Sequence, residues 1–582
     1  VARSETLSSK LVQLANRLQA RRASRSRPAT GFVSQPEPRT LGSFAKGRQL
    51  CAGNFLFAGH LVEARDTLIW DLEMPSKGFE EQLHGFTWLD DLAAVGDLNA
   101  RKNSQAWLIA WIERYGDGKG AGWTPDLTGR RIIRWINHAL FLLNSMPSDQ
   151  TDQLFSCMGQ QVIFLSKRWK AAAPGLPRFE ALTGLVYAGL ALSGMDHLVK
   201  PAVEALAKEC AAQIDVQGGI PTRNPEELLE VFTLLTWAAA ALTEAGRLAP
   251  AEHIAAIERI APTLRSLRHS DGGLARFHGG GRGMEGRLDH ALASSGVRAK
   301  ARNGLAMGYA RLQAGRTSVV IDASAPPQGE FSANAHASTF AMELTSGRRP
   351  LIVNCGCGQC FGDDWQRAGR ATPSHSTLGL DGYSSARLGA PGFVGGQRRE
   401  LLTQGAKDVL LENASGLEAI HFHGGHDGYR NSHGLTHVRQ LDLSQDGRAL
   451  IGEDTVTTIT DKDKQCFDAA MDLVQLQGIG FHLRFHLHPE VDATLDMGGN
   501  AVSLALRSGE IWVFRQTGSH GISLEPSVYL EKGRIKPRAT KQIVLSGRVM
   551  GYAARISWTL AKAQDTPTGV RDLQRDEADF DT

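Results

Sequence analysis

Four groups of residues have types and spacing that could do chemistry. In Gly218-Gly219-Ile220-Pro221-Thr222-Arg223-Asn224-Pro225 a guanidinium and an amide stand side by side at a helix start, with Asn224 placed as N-cap and Pro225 as the first helical residue. Arg223 and Asn224 could grip a carboxylate there, the arginine bidentately. In Phe481-His482-Leu483-Arg484-Phe485-His486-Leu487-His488, period-two alternation sends the apolar residues to one face of a strand and the basic row to the other. That row must face solvent, a partner strand or an anion. Cys355-Gly356-Cys357-Gly358-Gln359-Cys360 gathers thiols, but not as paired CxxC zinc motifs, so packing beside a strand is expected. Asp90, Asp91 and Glu227 would be available for two-carboxylate glycoside hydrolysis, although Glu227 is expected on the solvent side of its helix.

Other chemistries lack their motifs. The glycines at 281, 283 and 286 match GxGxxG with no convincing strand before them, and there is neither a GxxxxGK[ST] loop nor a GxSxG elbow. Nucleotide cofactors and serine hydrolysis of that class are therefore not indicated.

The elements that must position these residues follow from periodicity. The 582 residues suffice for two to four domains at roughly 100–200 residues each. With 42% hydrophobic and 21% charged residues the composition is that of a globular protein in water, and 64 Lys+Arg against 61 Asp+Glu leave only +3, too little for bulk phosphate binding. Nucleic acid is not an expected partner, no run reaches the ~20 apolar residues of a membrane span, and the oligomeric state is not written in the chain. Residues 1–45 are polar and basic, expected as a helix plus a flexible arm. Over 46–312 apolar residues recur at helical spacing, for example Leu228, Val231, Phe232, Leu235 and Leu242. Over 313–565 short β-branched runs alternate with turns, among them Val438–Asp442 and Ala449–Glu453 around Asp446-Gly447, and the helical pattern ends. Residues 566–582 are a polar tail. The expected fold is α+β multidomain, helices first and an antiparallel β-sandwich second. Trp88, Trp111, Trp123 and Trp135 could act as sugar platforms, although Trp at helical spacing usually belongs to the core. Seven cysteines do not suggest a disulfide framework.

Ala335-His336-Ala337-Ser338-Thr339-Phe340-Ala341-Met342-Glu343-Leu344 with Gly347–Gly356, Ala371-Thr372-Pro373-Ser374-His375-Ser376-Thr377, His426-Asp427-Gly428-Tyr429 and His437-Val438-Arg439 resemble, in order, the heparinase II/III-like polysaccharide lyases. The resemblance covers roughly residues 50 to 560 and implies an incomplete α/α toroid joined to a β-sandwich, cleaving a uronic-acid glycan by β-elimination. That reaction needs a group to hold the C5 carboxylate, a base for the C5 proton and an acid for the departing O4. The resemblance points to His336, His426 and Tyr429 for proton transfer, with Asn224 beside them, and to Arg178, Arg223, Arg439 and His437 for the acidic sugar. It departs from the family where Glu227 stands at the usual Tyr, Asn334 at a usual His, and Pro177-Arg178-Phe179-Glu180 at an Asn-His pair. It also implies that no cofactor is required, while a structural zinc would fall on His336, Asn354 and His375. The location it implies is cell envelope or periplasm, with the cytoplasm as the alternative because no signal segment is visible. The rival reading is an acidic-glycan-binding or envelope-assembly protein on the same scaffold.

Overall fold

The computed structural model describes residues 7–25, 29–34, 37–302, 304–394, 397–412, 419–518, 521–563 and 572. The principal helices of the first half are α1 (Leu7–Ala23), α2 (Leu98–Tyr115), α3 (Pro125–Asn137), α4 (Ser148–Arg168), α5 (Leu176–Ala191), α6 (Val199–Gln213), α7 (Pro225–Glu244) and α8 (Ala251–Leu267). They form an α/α toroid because each buries one apolar stripe against its neighbours, and Phe179, Leu182, Leu228, Val231, Phe232 and Leu235 are sealed in its core. The four candidate tryptophans belong to that core: Trp88, Trp111, Trp123 and Trp135 are all buried, and Trp111 lies under the Arg131 guanidinium at 4.1 Å. They are not sugar platforms.

Two expectations need correction. α1 is docked rather than part of a free arm: Ala20 and Ala23 are buried, and Asn16 accepts from Arg168 Nε of α4 at 2.7 Å. A hairpin of β1 (Asn54–Phe57) and β2 (His60–Glu63), missed in the sequence, packs Phe55 and Phe57 into the toroid core. Its turn, Ala58-Gly59, has both φ values positive, as a tight two-residue hairpin requires.

The chain enters the sandwich between Ser294 and Tyr309. One sheet runs in space Gly521–Tyr529, Arg538–Val549, Ile479–Leu487, Arg349–Val353, Met342–Ser346, Thr317–Asp322 and Tyr309–Ala314, with Leu378–Leu380 added beside Ile479–Leu487. The other runs Val409–Glu412, Ala419–Tyr429, Leu435–Ser444, Ala449–Thr457, Ala553–Lys562, Ile511–Thr517, Ala501–Ala505 and Asp492–Asp496. The named strands of both sheets pair antiparallel, and Phe481, Leu483, Phe485 and Leu487 fill the space between the sheets. Helix α9 (Asp461–Leu473) interrupts the strands; its capping box at Thr460 and Asp463 was the sequence signal that the all-strand expectation passed over. The fold is α+β and multidomain.

Candidate functional site

Helix α7 begins where the two domains meet. Asn224 is its N-cap, Oδ1 accepting from the amides of Glu226 (3.0 Å) and Glu227 (3.2 Å). The preceding Arg223 has φ +51, and this left-handed turn throws its side chain across to the sandwich. There its guanidinium pairs with Asp322 at 2.5 Å and donates to the carbonyls of Met307 (3.1 Å), Gly308 (3.0 Å) and Ala325 (2.7 Å), while lying 4.8 Å above the Tyr309 ring. Such saturation leaves no donor fork for a uronate, so Arg223 joins the domains rather than binding sugar. Arg178 is likewise engaged, by Glu209 at 3.2 Å and the Ala172 carbonyl at 2.9 Å.

Against the start of α7 lies the glycine run Gly279–Gly281. A Cβ on Gly280 would fall 2.5 Å from Asn224 Oδ1, which is why only glycine fits. The Gly281 amide donates to Glu226 Oε2 at 2.8 Å, and Glu226 is paired with Lys532 of the sandwich at 2.5 Å. The Gly279 amide donates to His336 Nε2 at 3.0 Å.

That last bond fixes the role of His336. Its Nδ1 meets His375 Nε2 at 3.0 Å, and His375 Nδ1 donates to the Ala371 carbonyl at 2.9 Å, so the chain of donors is complete with both rings neutral. Burial, reinforced by His375 and His278, holds His336 well below the usual histidine range, and burial takes His375 to about 3. Neither ring offers a free lone pair. Asn354 is spent as well, accepting from the Ser376 amide at 2.9 Å. The expected zinc ligands therefore do not fit a metal, and among the described residues no group of three His, Cys, Asp or Glu could hold one.

The sandwich candidates fare no better as catalysts. Tyr429 is fully buried between the sheets and donates to the Leu378 carbonyl at 2.8 Å. The Gly428 amide donates to His426 Nδ1 at 3.1 Å, His426 Nε2 meets His437 Nδ1 at 3.1 Å, and His437 Nε2 meets Asp454 at 2.7 Å. Arg439 closes this interior network by donating to the same Asp454 oxygen at 2.7 Å and to the Phe340 carbonyl at 2.6 Å. All four are corrections to the sequence expectation: their polarity satisfies itself inside the sandwich instead of facing a ligand. In the basic row, His486 bonds Ser527 and the Pro373 carbonyl, and His482 meets Ser546 and Asp381, so these two histidines are internally paired. Asp90 is tied to Arg134 and His138, both at 2.9 Å, which removes it from hydrolytic chemistry, and Asp91 accepts from the Ser43 amide at 2.7 Å while burial raises its carboxyl to about 6.

What the junction does expose is Glu227. One turn into α7, it lines a cavity of about 120 Å³ with Thr222, His278, Glu330, Phe331 and Asn334. Thr222 Oγ1 donates to its Oε2 at 3.0 Å, and burial raises its carboxyl to about 7 against the opposing pull of that bond and of Lys532. His278 presents its ring but not a base: Nδ1 accepts from the His336 amide at 3.1 Å and Nε2 lies 3.4 Å from Asp322. The solvent-side expectation for Glu227 is thus overturned, and Asn334 also faces the cavity. The sequence signal was their departure from the family residues at those places.

Residues 296–559 match the family model of the heparinase II/III-like C-terminal domain. The sandwich is a heparinase II/III-like domain. Over 545 residues the chain is 29% identical to FtsZ-localized protein C of Caulobacter vibrioides (strain NA1000 / CB15N), covering 92% of this chain and 91% of that one. The crystal structure of heparinase III superposes with a TM-score of 0.67 at 13% identity, over 95% of this chain and 90% of that one. Heparan sulfate lyase HepC from Pedobacter heparinus follows at 0.54 and 15%, over 96% and 89%. At such identities the structures share the fold, so the heparinase-like scaffold extends through the toroid as well as the sandwich. No helix among the described residues is long and apolar enough to cross a membrane.

Proposed function

We propose that the chain is a polysaccharide lyase acting on an acidic, uronic-acid-containing glycan, with Glu227 as the group that moves the proton. One observation carries this: at the place of the family's Tyr base stands a carboxyl that lines the junction cavity and titrates at about 7. A base is most effective when its pKa lies near the working pH. In this scheme the Asn334 amide receives the C5 carboxylate, while the Thr222 hydroxyl stays on Glu227 and orients it. Glu227 takes the C5 proton, a double bond forms between C4 and C5 as the C4–O4 bond breaks, and the protonated Glu227 returns the proton to O4. The glycan of the organism's own cell envelope is the substrate source proposed.

A second reading has its own support. Arg178, Arg223 and Arg439, the cations the sequence offered to a uronate, are all committed to internal partners. Among the described residues lining the cavity there is no Arg or Lys to draw charge from a uronate carboxylate, so a glycan held there would lack the activation that proton removal from C5 needs, which favours binding without cleavage. Ultraviolet absorbance during incubation with a panel of uronic-acid polysaccharides separates the two, because elimination leaves an absorbing unsaturated uronate. A rise abolished in Glu227→Gln supports the lyase; saturable binding with no rise on any substrate supports the second reading; neither rise nor binding rejects both.

A further inference from the structure

Away from that cavity, the thiols of the cysteine-rich stretch are arranged unequally. Cys355 Sγ points toward His486 Nδ1 (3.5 Å) and Ser527 Oγ (3.8 Å). Cys357 and Cys360 bracket a single turn: Cys357, extended at φ −89° and ψ 118°, is the N-cap of the 3-10 turn Gly358–Phe361 that contains Cys360. A turn brings residues i and i+3 to within about 7 Å at Cα, and a disulfide spans about 4.4–6.8 Å. Cys357 is buried and Cys360 half-buried.

Cys360 borders a second cavity, of about 560 Å³, lined by His60 and Glu73 from the toroid and by Phe361, Trp365 and Ile535 from the sandwich. This is within the size range of sites that hold small ligands. The floor is set by the β1–β2 turn, where a Cβ on Gly59 would come within 2.5 Å of the Cys360 carbonyl oxygen. Lys532 supplies the local cation: burial opposes its charge, but Glu226 and then the two sulfurs of Cys357 and Cys360 hold it protonated. Burial, then the neighbouring Cys357, hold the Cys360 thiol above its ordinary value, and Lys532 pulls against them toward the thiolate that thiol–disulfide exchange requires.

We propose that Cys357 and Cys360 form a thiol–disulfide site that takes a small peptide disulfide of the glutathione class in the adjoining cavity. The Cys360 thiolate attacks one sulfur of glutathione disulfide, forming a mixed disulfide and releasing one glutathione thiolate. The Cys357 thiolate then attacks the Cys360 sulfur, closing the Cys357–Cys360 bond and releasing the second glutathione. The two cysteines are oxidised, the glutathione disulfide is reduced, and the two thiol protons leave with the glutathiones. Burial orders the steps, since the half-buried sulfur meets the reagent and the buried one resolves it.

The full chain, incubated with excess glutathione disulfide, acid-quenched, alkylated and digested, tests this by mass spectrometry. The expected result is a peptide spanning residues 355–360 that has lost two hydrogens, with fragmentation placing the link between Cys357 and Cys360. The loss persists in Cys355→Ser, while Cys357→Ser halts with one glutathione on Cys360. Full alkylation of both thiols, a link to Cys355, or a glutathione adduct that stays on Cys360 of the unmodified chain would each overturn the proposal.

Discussion

If Glu227 holds its proton to about 7 in the folded protein, folding must work against its ionisation, and stability must carry the signature. The unfolded glutamate releases its proton near 4.5, so between there and about 7 the unfolded chain is the one that gains from rising pH. The sign is that of a raised acid: stability is fullest below pH 4.5 and falls as pH rises through 7. At 1.36 kcal/mol per tenfold change the penalty reaches about 3 kcal/mol, and water reaching the half-buried carboxyl reduces it to about 1–2 kcal/mol. Glu227→Gln keeps an acceptor for Thr222 and removes the charge. The variant should match the parent near pH 4 and exceed it by about 1–2 kcal/mol at pH 8. Denaturant titrations followed by tryptophan emission are suited to this, because Trp88, Trp111, Trp123 and Trp135 are buried in the same toroid. A stability difference that stays constant from pH 4 to 8 would refute the argument, and with it the role given to Glu227.

Other expectations are more local. Tyr429→Phe removes a buried donor and leaves the Leu378 carbonyl unpaired, so it should cost about 1–3 kcal/mol in a denaturant titration and leave glycan cleavage or binding unchanged. Arg223→Met leaves the buried Asp322 carboxylate without its cation and should destabilise the protein by about 3–5 kcal/mol, seen as a lowered melting temperature. His375 titrates at about 3 in the fold and near 6.5 when unfolded, so its contribution is full above pH 6.5 and is lost as pH falls toward 3. Melting temperatures of His375→Gln should accordingly fall less steeply with acid than those of the parent.

The sequence conveyed the architecture more fully than the site. Helical spacing marked α7 at Pro225, where the helix begins, and alternation identified Phe481, Leu483, Phe485 and Leu487 as the inward face of a strand, because burial writes its period directly into residue order. The hairpin β1–β2 and helix α9 escaped because each is set within a stretch of the other texture. Site residues were harder for a different reason. His336, His426, Tyr429 and Arg439 have catalytic side chains, but hydrogen bonds to residues on neighbouring strands and loops turn them inward, and no local pattern records such partners. Glu227 was set aside as a surface residue because its environment is made by the sandwich, which contributes Glu330, Phe331 and Asn334 more than a hundred positions later.

The Arg223 bridge has a mechanical consequence. It fastens the first turn of α7 to the sandwich through an ion pair and several backbone carbonyls at once. Any rocking of one domain against the other must then pivot about this seam, and Glu226, paired with Lys532 of the sandwich, adds a second tie one turn further along the same helix start. A polymer entering the junction would therefore meet groups whose spacing stays fixed, Glu227 among them, however the outer parts of the two domains move.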